Sequence, residues 1–153
     1  MLRKRLNDTL KEAMMAKNQR AVSTVRLILA ALKDRDIAAR GRGDTDGVGE
    51  AEIFSMLQTM VRQRQESIEL YEKGGRAELA EQEREEIAII ESFLPKAMSA
   101  EETDAAIAGV LGEIGASCIK DMGRVMAELR GRYAGRMDFA KVSTVVKSKL
   151  TPC

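Results

Sequence analysis

Of the eight basic side chains that crowd residues 116–153, seven make one candidate set: Lys120, Arg124, Arg130, Arg132, Arg136, Lys141 and Lys147. Cations at this density do one kind of chemistry well, which is to neutralise phosphates. Aromatic residues make up only 3% of the sequence, so there is little on which unpaired bases could stack. Contacts to the phosphates and shape of a folded RNA fit the composition better. The densest stretch, RGRYAGRMD (130–138), also has a plainer use. Gly131 or Gly135 can end one helix in left-handed backbone, and Asp138 can cap the next. Arginines near a helix C-terminus also interact favourably with its dipole, by about 0.3–1 kcal/mol. The stretch therefore reads as punctuation between helices that also contributes to a basic surface. The seven cations above are the candidate nucleic-acid-binding set.

Other chemistry is poorly provided for. The chain has no histidine, which removes Ser-His and Cys-His catalysis and imidazole metal ligands. Ser117 stands beside Cys118, but no base with a matching signature accompanies them. Cys118 and Cys153 form no metal or redox spacing. They read as the reduced thiols of a cytosolic protein, with Cys118 a small buried apolar residue at a helix start. Glu81, Glu83, Glu85, Glu86 and Glu91 could pair carboxylates for acid–base work, yet such a run on a helix reads first as a solvated face. In the loop RGRGDTDGVG (40–49) no Gly-Lys-Ser/Thr follows, so it reads as a flexible connector rather than a phosphate loop. Arg62 and Arg64 lie about 200° apart on a helix; one of them is expected to pair with acidic residues. No catalytic residue, cofactor or metal is assigned, and the chain is not expected to be an enzyme on its own.

The formal charge of +1 conceals a strong segregation. Residues 1–43 carry 11 Lys/Arg against 4 Asp/Glu, residues 44–115 carry 6 against 17, and residues 116–153 carry 8 against 3. Two basic ends flank an acidic middle. Either the ends pack near the acidic centre, or they leave one or two basic surfaces for an anionic partner such as RNA.

The elements that must position these residues are almost all helices. Leu2, Leu6, Leu10 and Ala13 repeat at helical spacing, as do Val22, Val25, Leu29 and Leu32. A long helix carries Ile53, Leu57, Met60, Val61, Ile68 and Tyr71 and stops at KGG (73–75). The next, on Leu79, Ile87 and Ile90, closes at FLP, where Pro95 disfavours helical geometry at Leu94. SAEE (99–102) is a capping box for a helix on Ile107, Leu111 and Ile114 that Gly115 ends. Another helix runs from about Cys118 to Arg130 on Ile119, Met122, Val125, Met126 and Leu129. Gly123 lies inside it, at a cost of about 1 kcal/mol relative to Ala, which close approach of another backbone would explain. The last helix starts at Asp138 and buries Phe139, Val142, Val146 and Leu150. The methionines read as core filler. The fold class is all-α, with an N-terminal helical domain over 1–94 and a small helical tail domain over 95–153.

One stretch carries a family likeness. KDMGRVMAELRGRYAGRMDFAKVSTVVKSKL (120–150) resembles the tail domain of the GatB/YqeY family. The marks are the D-M-G-x-V-M run, the basic turn around Y-A-G-R with its following Asp, and the closing V-x-x-x-V-K-x-x-L. Residues 63–102 look like the stand-alone YqeY proteins of bacteria. The resemblance implies an N-terminal helical bundle ahead of the small tail domain. It also implies a link to the glutamine-dependent amidotransferase that corrects mischarged tRNA, a carbon–nitrogen ligase with glutamine as amido-N-donor. The kinase-like domain of GatB, its metal ligands and the amidase Ser-Ser-Lys machinery of its partner subunit have no counterpart in this chain. The expected role is thus a non-catalytic, tRNA-associated binding module. The alternative is a protein–protein interaction module with a basic docking surface and no RNA role.

The expected location is cytoplasmic. No apolar run approaches the roughly 20 residues needed to span a bilayer, and the start lacks the apolar region and cleavage site of a signal peptide. Asp8 and Glu12 argue against an organelle transit peptide. The expected partners are tRNA or a protein, with no membrane and no metal.

Overall fold

Seven α-helices and one 3-10 turn build the chain, and the only strand-like pairing is an isolated bridge between Cys118 and Thr151. The computed structural model describes residues 1–153. The chain divides into two compact units, Met1–Pro95 and Lys96–Cys153. Each has its own aliphatic core, as the all-α pattern requires.

In the first unit, α1 (Leu2–Met15) and α2 (Gln19–Gly41) form a hairpin. The turn between them is tight enough to put Lys17 at a positive φ of 58°. Asn18 then caps α2, its side chain accepting from the Ala21 N–H at 3.2 Å. Leu2 and Leu6 of α1 meet Val25, Ile28 and Leu32 of α2. Long helices α3 (Glu50–Lys73) and α4 (Ala77–Glu91) complete the core with Ile53, Met56, Leu57, Met60 and Ile90, and Phe93 follows. The helical spacing found the buried faces well, although Ile28 rather than Leu29 is fully buried on α2. Helix α4 ends at Glu91, earlier than the restriction at Leu94 implied. Four methionines are buried, at 56, 60, 126 and 137, while Met1, Met14 and Met15 are exposed. Core filling thus explains only some of them.

Away from the core, charge joins α3 to α4. The half-buried Arg64 pairs with Glu86 at 2.9 Å, and Arg84 pairs with Glu72. Arg20 of α2 reaches Glu85 at 3.3 Å and Glu86 at 3.7 Å. The expectation that Arg62 or Arg64 pairs with acidic residues is met by Arg64. The glutamate run is less solvated than its sequence implied: Glu83 and Glu86 are half-buried. Burial first, then the neighbouring Glu86, pushes the Glu83 carboxyl up.

The loop after α2 corrects the sequence reading. Val48 is 5% exposed within the core, so the loop's far end is anchored rather than a free connector. Arg3 forks onto both oxygens of Asp36 at 2.8 Å and also donates to the Val48 carbonyl at 2.9 Å. Asp36 in turn accepts from the Val48 N–H at 3.0 Å. Gly47, at φ +87°, lies against this fork: a Cβ there would stand 2.8 Å from both Arg3 and Asp36. One bidentate pair thus joins the start of α1, the end of α2 and the entry to α3.

This tie makes an acid-sensitive prediction. The Arg3 guanidinium, and after it the Val48 N–H, hold the Asp36 carboxyl at about 2. That lies below the ordinary value of about 3.9, so its stabilisation is complete above about pH 4 and is lost as pH falls through about 2. Asp36→Asn should destabilise the protein by about 1–2 kcal/mol near neutrality. The variant should also lose less stability than wild type on going from pH 4 to pH 2. Urea melts followed by circular dichroism at both pH values check this, and equal acid sensitivity in the two proteins would contradict it.

Candidate nucleic-acid interface

The second unit comprises α5 (Ala100–Ile114), the 3-10 turn Ile119–Asp121, α6 (Met122–Tyr133) and α7 (Phe139–Lys149). Ser99 and Glu102 form the expected capping box: the Glu102 N–H donates to Ser99 Oγ at 3.1 Å and the Ser99 N–H to Glu102 at 3.3 Å. Gly115 ends α5 at φ 70°. Asp138 caps α7, accepting from the N–H groups of Ala140 and Lys141 at 3.1 and 3.4 Å. Ile107, Val110, Val125, Met126, Leu129, Met137, Val142, Val146 and Leu150 form the core. Phe139 is only half-buried. Of the two candidate glycines, Gly135 takes the left-handed backbone, at φ 78°, and Gly131 stays within α6. The RGRYAGRMD stretch is therefore the last turn of α6, a left-handed break and the cap of α7.

The seven candidate cations differ sharply in what they touch. Arg132 donates to Glu113 at 2.5 Å and to Glu128 at 2.7 Å, which holds the Glu113 carboxyl below its usual range. Arg136 donates to the Lys96 carbonyl at 3.0 Å and lies 4.0 Å from Glu102. The backbone carbonyl of Arg136 accepts from the Met98 N–H at 3.0 Å. Arg124 pairs with Asp121 at 2.6 Å. The Asp121 carboxyl is held down first by the Ser117 N–H, then by Arg124 and the Cys118 N–H. Arg130 stands over the Phe139 ring, 5.8 Å from its centre. Lys120, Lys141 and Lys147 are exposed and enter no ion pair. In fact every ion pair in the molecule is made by an arginine and none by a lysine.

Arg132 and Arg136 thus bind the basic tail back onto acidic α5, which realises the plainer of the two charge readings within this unit. Lys141 and Lys147 are six residues apart and lie about 120° from each other around α7, on opposite flanks of its buried face. The cations form a discontinuous basic rim rather than one patch. Gly123 is exposed, and a Cβ there would meet nothing within 4 Å. Close packing does not explain that glycine.

The cysteines supply the clearest correction. Cys118 and Cys153 form a disulfide with Cα atoms 5.3 Å apart. Cys118 is half-buried at the bond rather than a free apolar residue. Beside it, the Ile119 N–H donates to the Thr151 carbonyl at 2.9 Å and the Thr151 N–H to the Ser117 carbonyl at 3.1 Å. The C-terminal residues are thereby fastened to the start of the 3-10 turn. A separation of 35 residues leaves no local motif from which the pairing could be read. In this state the Cys118 sulfur has no thiolate to offer as a nucleophile. No group of three or more acidic or thiol side chains converges as a metal site would, and no helix is long and apolar enough to cross a membrane.

A model of the Yqey-like protein family matches residues 3–150. The chain belongs to that family. The likeness carried by residues 63–102 and 120–150 is borne out to this extent. Three yeast proteins named "Altered inheritance of mitochondria protein 41, mitochondrial" are similar to it. Those of Lachancea thermotolerans and Eremothecium gossypii are each 37% identical over 112 residues, 71% of this YqeY-family chain and 57% and 58% of their own lengths. That of Kluyveromyces lactis is 33% identical over 112 residues, 71% of this chain and 58% of its own length. The chain therefore spans little more than half the length of the curated relatives it matches.

The disulfide makes the second prediction. Cys153→Ser should destabilise the protein by about 2–4 kcal/mol, the range expected for opening a loop of this size. Ellman's reagent should find free thiols in the purified wild-type protein only after reduction. Two titratable thiols in the unreduced native protein would contradict the bond.

Proposed function

We propose that this YqeY-family chain is a non-catalytic binding module that associates with tRNA through the basic rim of residues 96–153. The observation that carries the reading is that Lys120, Lys141 and Lys147 have no carboxylate partner in a unit where three of the four arginines are engaged in ion pairs. A lysine left in water is free to neutralise a phosphate and release the cations condensed on the nucleic acid. Arg130, held over Phe139, adds a further cation outside any ion pair. Arg124, Arg132 and Arg136 serve chiefly to shape the surface. The likeness of residues 120–150 to the GatB tail supports tRNA as the ligand and the tRNA elbow as the contact. It is also the basis for an association with glutamine-dependent tRNA amidotransferase, without amidotransferase activity in this chain. The absence of histidine and the engaged Cys118 sulfur support a role without catalysis. The proposed location is the cytoplasm, where the tRNA is met. The yeast relatives carry "mitochondrial" in their names, and a mitochondrial compartment holding tRNA would serve the same chemistry.

The test separates lysines from arginines. Affinity for tRNA should fall steeply with salt, and Lys141→Ala and Lys147→Ala are made separately because they lie on different flanks. At least one should make the slope of log affinity against log salt shallower by about 0.7–0.9, the value for one phosphate contact. Circular dichroism should be unchanged, since neither lysine holds the fold. Absence of tRNA binding at low salt, or unchanged slopes in both variants, would overturn the proposal.

A further inference from the structure

A second basic surface lies in the first unit, and its chemistry differs from that of the rim. Arg3 and Asn7 of α1, with Leu29, Leu32, Lys33, Asp36, Ile37 and Arg40 of α2, line a groove of about 310 Å³ between the two helices. Its floor is aliphatic. Its one carboxylate, Asp36, is already taken by Arg3. On α2, Arg26, Lys33 and Arg40 repeat every seven residues and are all exposed. Such a stripe drifts only about 20° per heptad, so the three cations line one edge. They rise about 10.5 Å per step and span about 21 Å. On α1, Lys4 and Lys11 also repeat at seven, and lie about 60° and 40° from Asn7 on its solvent side. None of these five cations enters an ion pair. Beside them, Met14 and Ile37 stand 50% and 53% exposed.

Cations at heptad spacing along both edges of an aliphatic groove match the flanking positions of a helix–helix seam. A helix laid into the groove would place apolar side chains on Leu29 and Leu32, with Ile37 just outside the Lys33 edge, and acidic ones beside the two cationic edges. A nucleic-acid backbone would satisfy the cations but leave the aliphatic floor uncovered. A compact anion would cover the groove but not the 21 Å of cationic edge estimated from the helix rise. We propose that the α1/α2 groove docks an acidic amphipathic helix of a partner protein. The inference stands apart from tRNA binding by the tail unit and does not rest on it.

The probe is a synthetic helical peptide of four heptads with leucine at the two seam positions and glutamate at the two flanking positions. The control is the same composition in an order that destroys the heptad. Both are titrated into the full chain with amide signals followed by NMR. The helical peptide should shift signals of α1 and α2, and the control should bind at least tenfold more weakly. Lys33→Glu with Arg40→Glu should lower the helical peptide's affinity at least tenfold. Ile37→Asp, which alters an exposed side chain, should lower it at least threefold. Equal binding of helical and control peptides would overturn the proposal, as would unchanged affinity in these variants. Displacement of the peptide from α1 and α2 by equimolar tRNA, or by vesicles with anionic headgroups, would assign the groove to those ligands instead.

Discussion

Arginine does the structural work of charge in this molecule, and lysine is left to face water. A guanidinium presents a planar fork that fits a carboxylate with little further ordering, whereas an ammonium is a compact, strongly hydrated charge. In a chain that is 32% charged and 3% aromatic, helices meet along narrow aliphatic seams whose margins are closed by such forks. The two-bond fork of Arg3 on Asp36 and the single contacts of Arg64 with Glu86 and Arg132 with Glu113 are among those that join separate elements. Exposed pairs add little stability, typically about 0–1 kcal/mol each. Their larger effect is to decide which cations remain for a partner.

That division gives each unit a different kind of basic surface. In the tail unit three of the four arginines pair with carboxylates of α5, the 3-10 turn and α6, Arg130 stands over Phe139, and scattered lysines remain, suited to phosphates spread over a curved RNA. In the first unit the remaining cations are ordered by a heptad and border an aliphatic groove. The two basic surfaces are therefore suited to distinct partner chemistries. Neither surface was visible in the formal charge of +1.

Much of the fold was legible because helices announce themselves locally. The Ser99–Glu102 box and the Asp138 cap depend on residues within one turn of each other and form as their spacing indicates, and the periodic seams follow, with Ile28 buried in place of Leu29 and Phe139 only half-buried. What escaped was set by distance along the chain. Asp36 lies 33 residues from Arg3, and Cys118 lies 35 residues from Cys153. No local spacing signals either pairing. The loop over 40–49 was read as free because its glycines are local, while the anchor of Val48 is tertiary. The candidate cations were identifiable by type, but Arg132 and Lys141 look alike in a charge count. Only the positions of Glu113 and Glu128 distinguish them.

We propose that unpaired lysines of the tail unit, rather than its ion-paired arginines, meet RNA. The most direct measurement follows side-chain and amide NMR signals of the full chain as tRNA is added at low salt. The largest changes should occur at the ammonium groups of Lys120, Lys141 and Lys147. The Arg132 guanidinium signal should stay near its free position, because its glutamates still hold it. Large changes at Arg132 with silent lysines, or changes confined to the first unit, would contradict it.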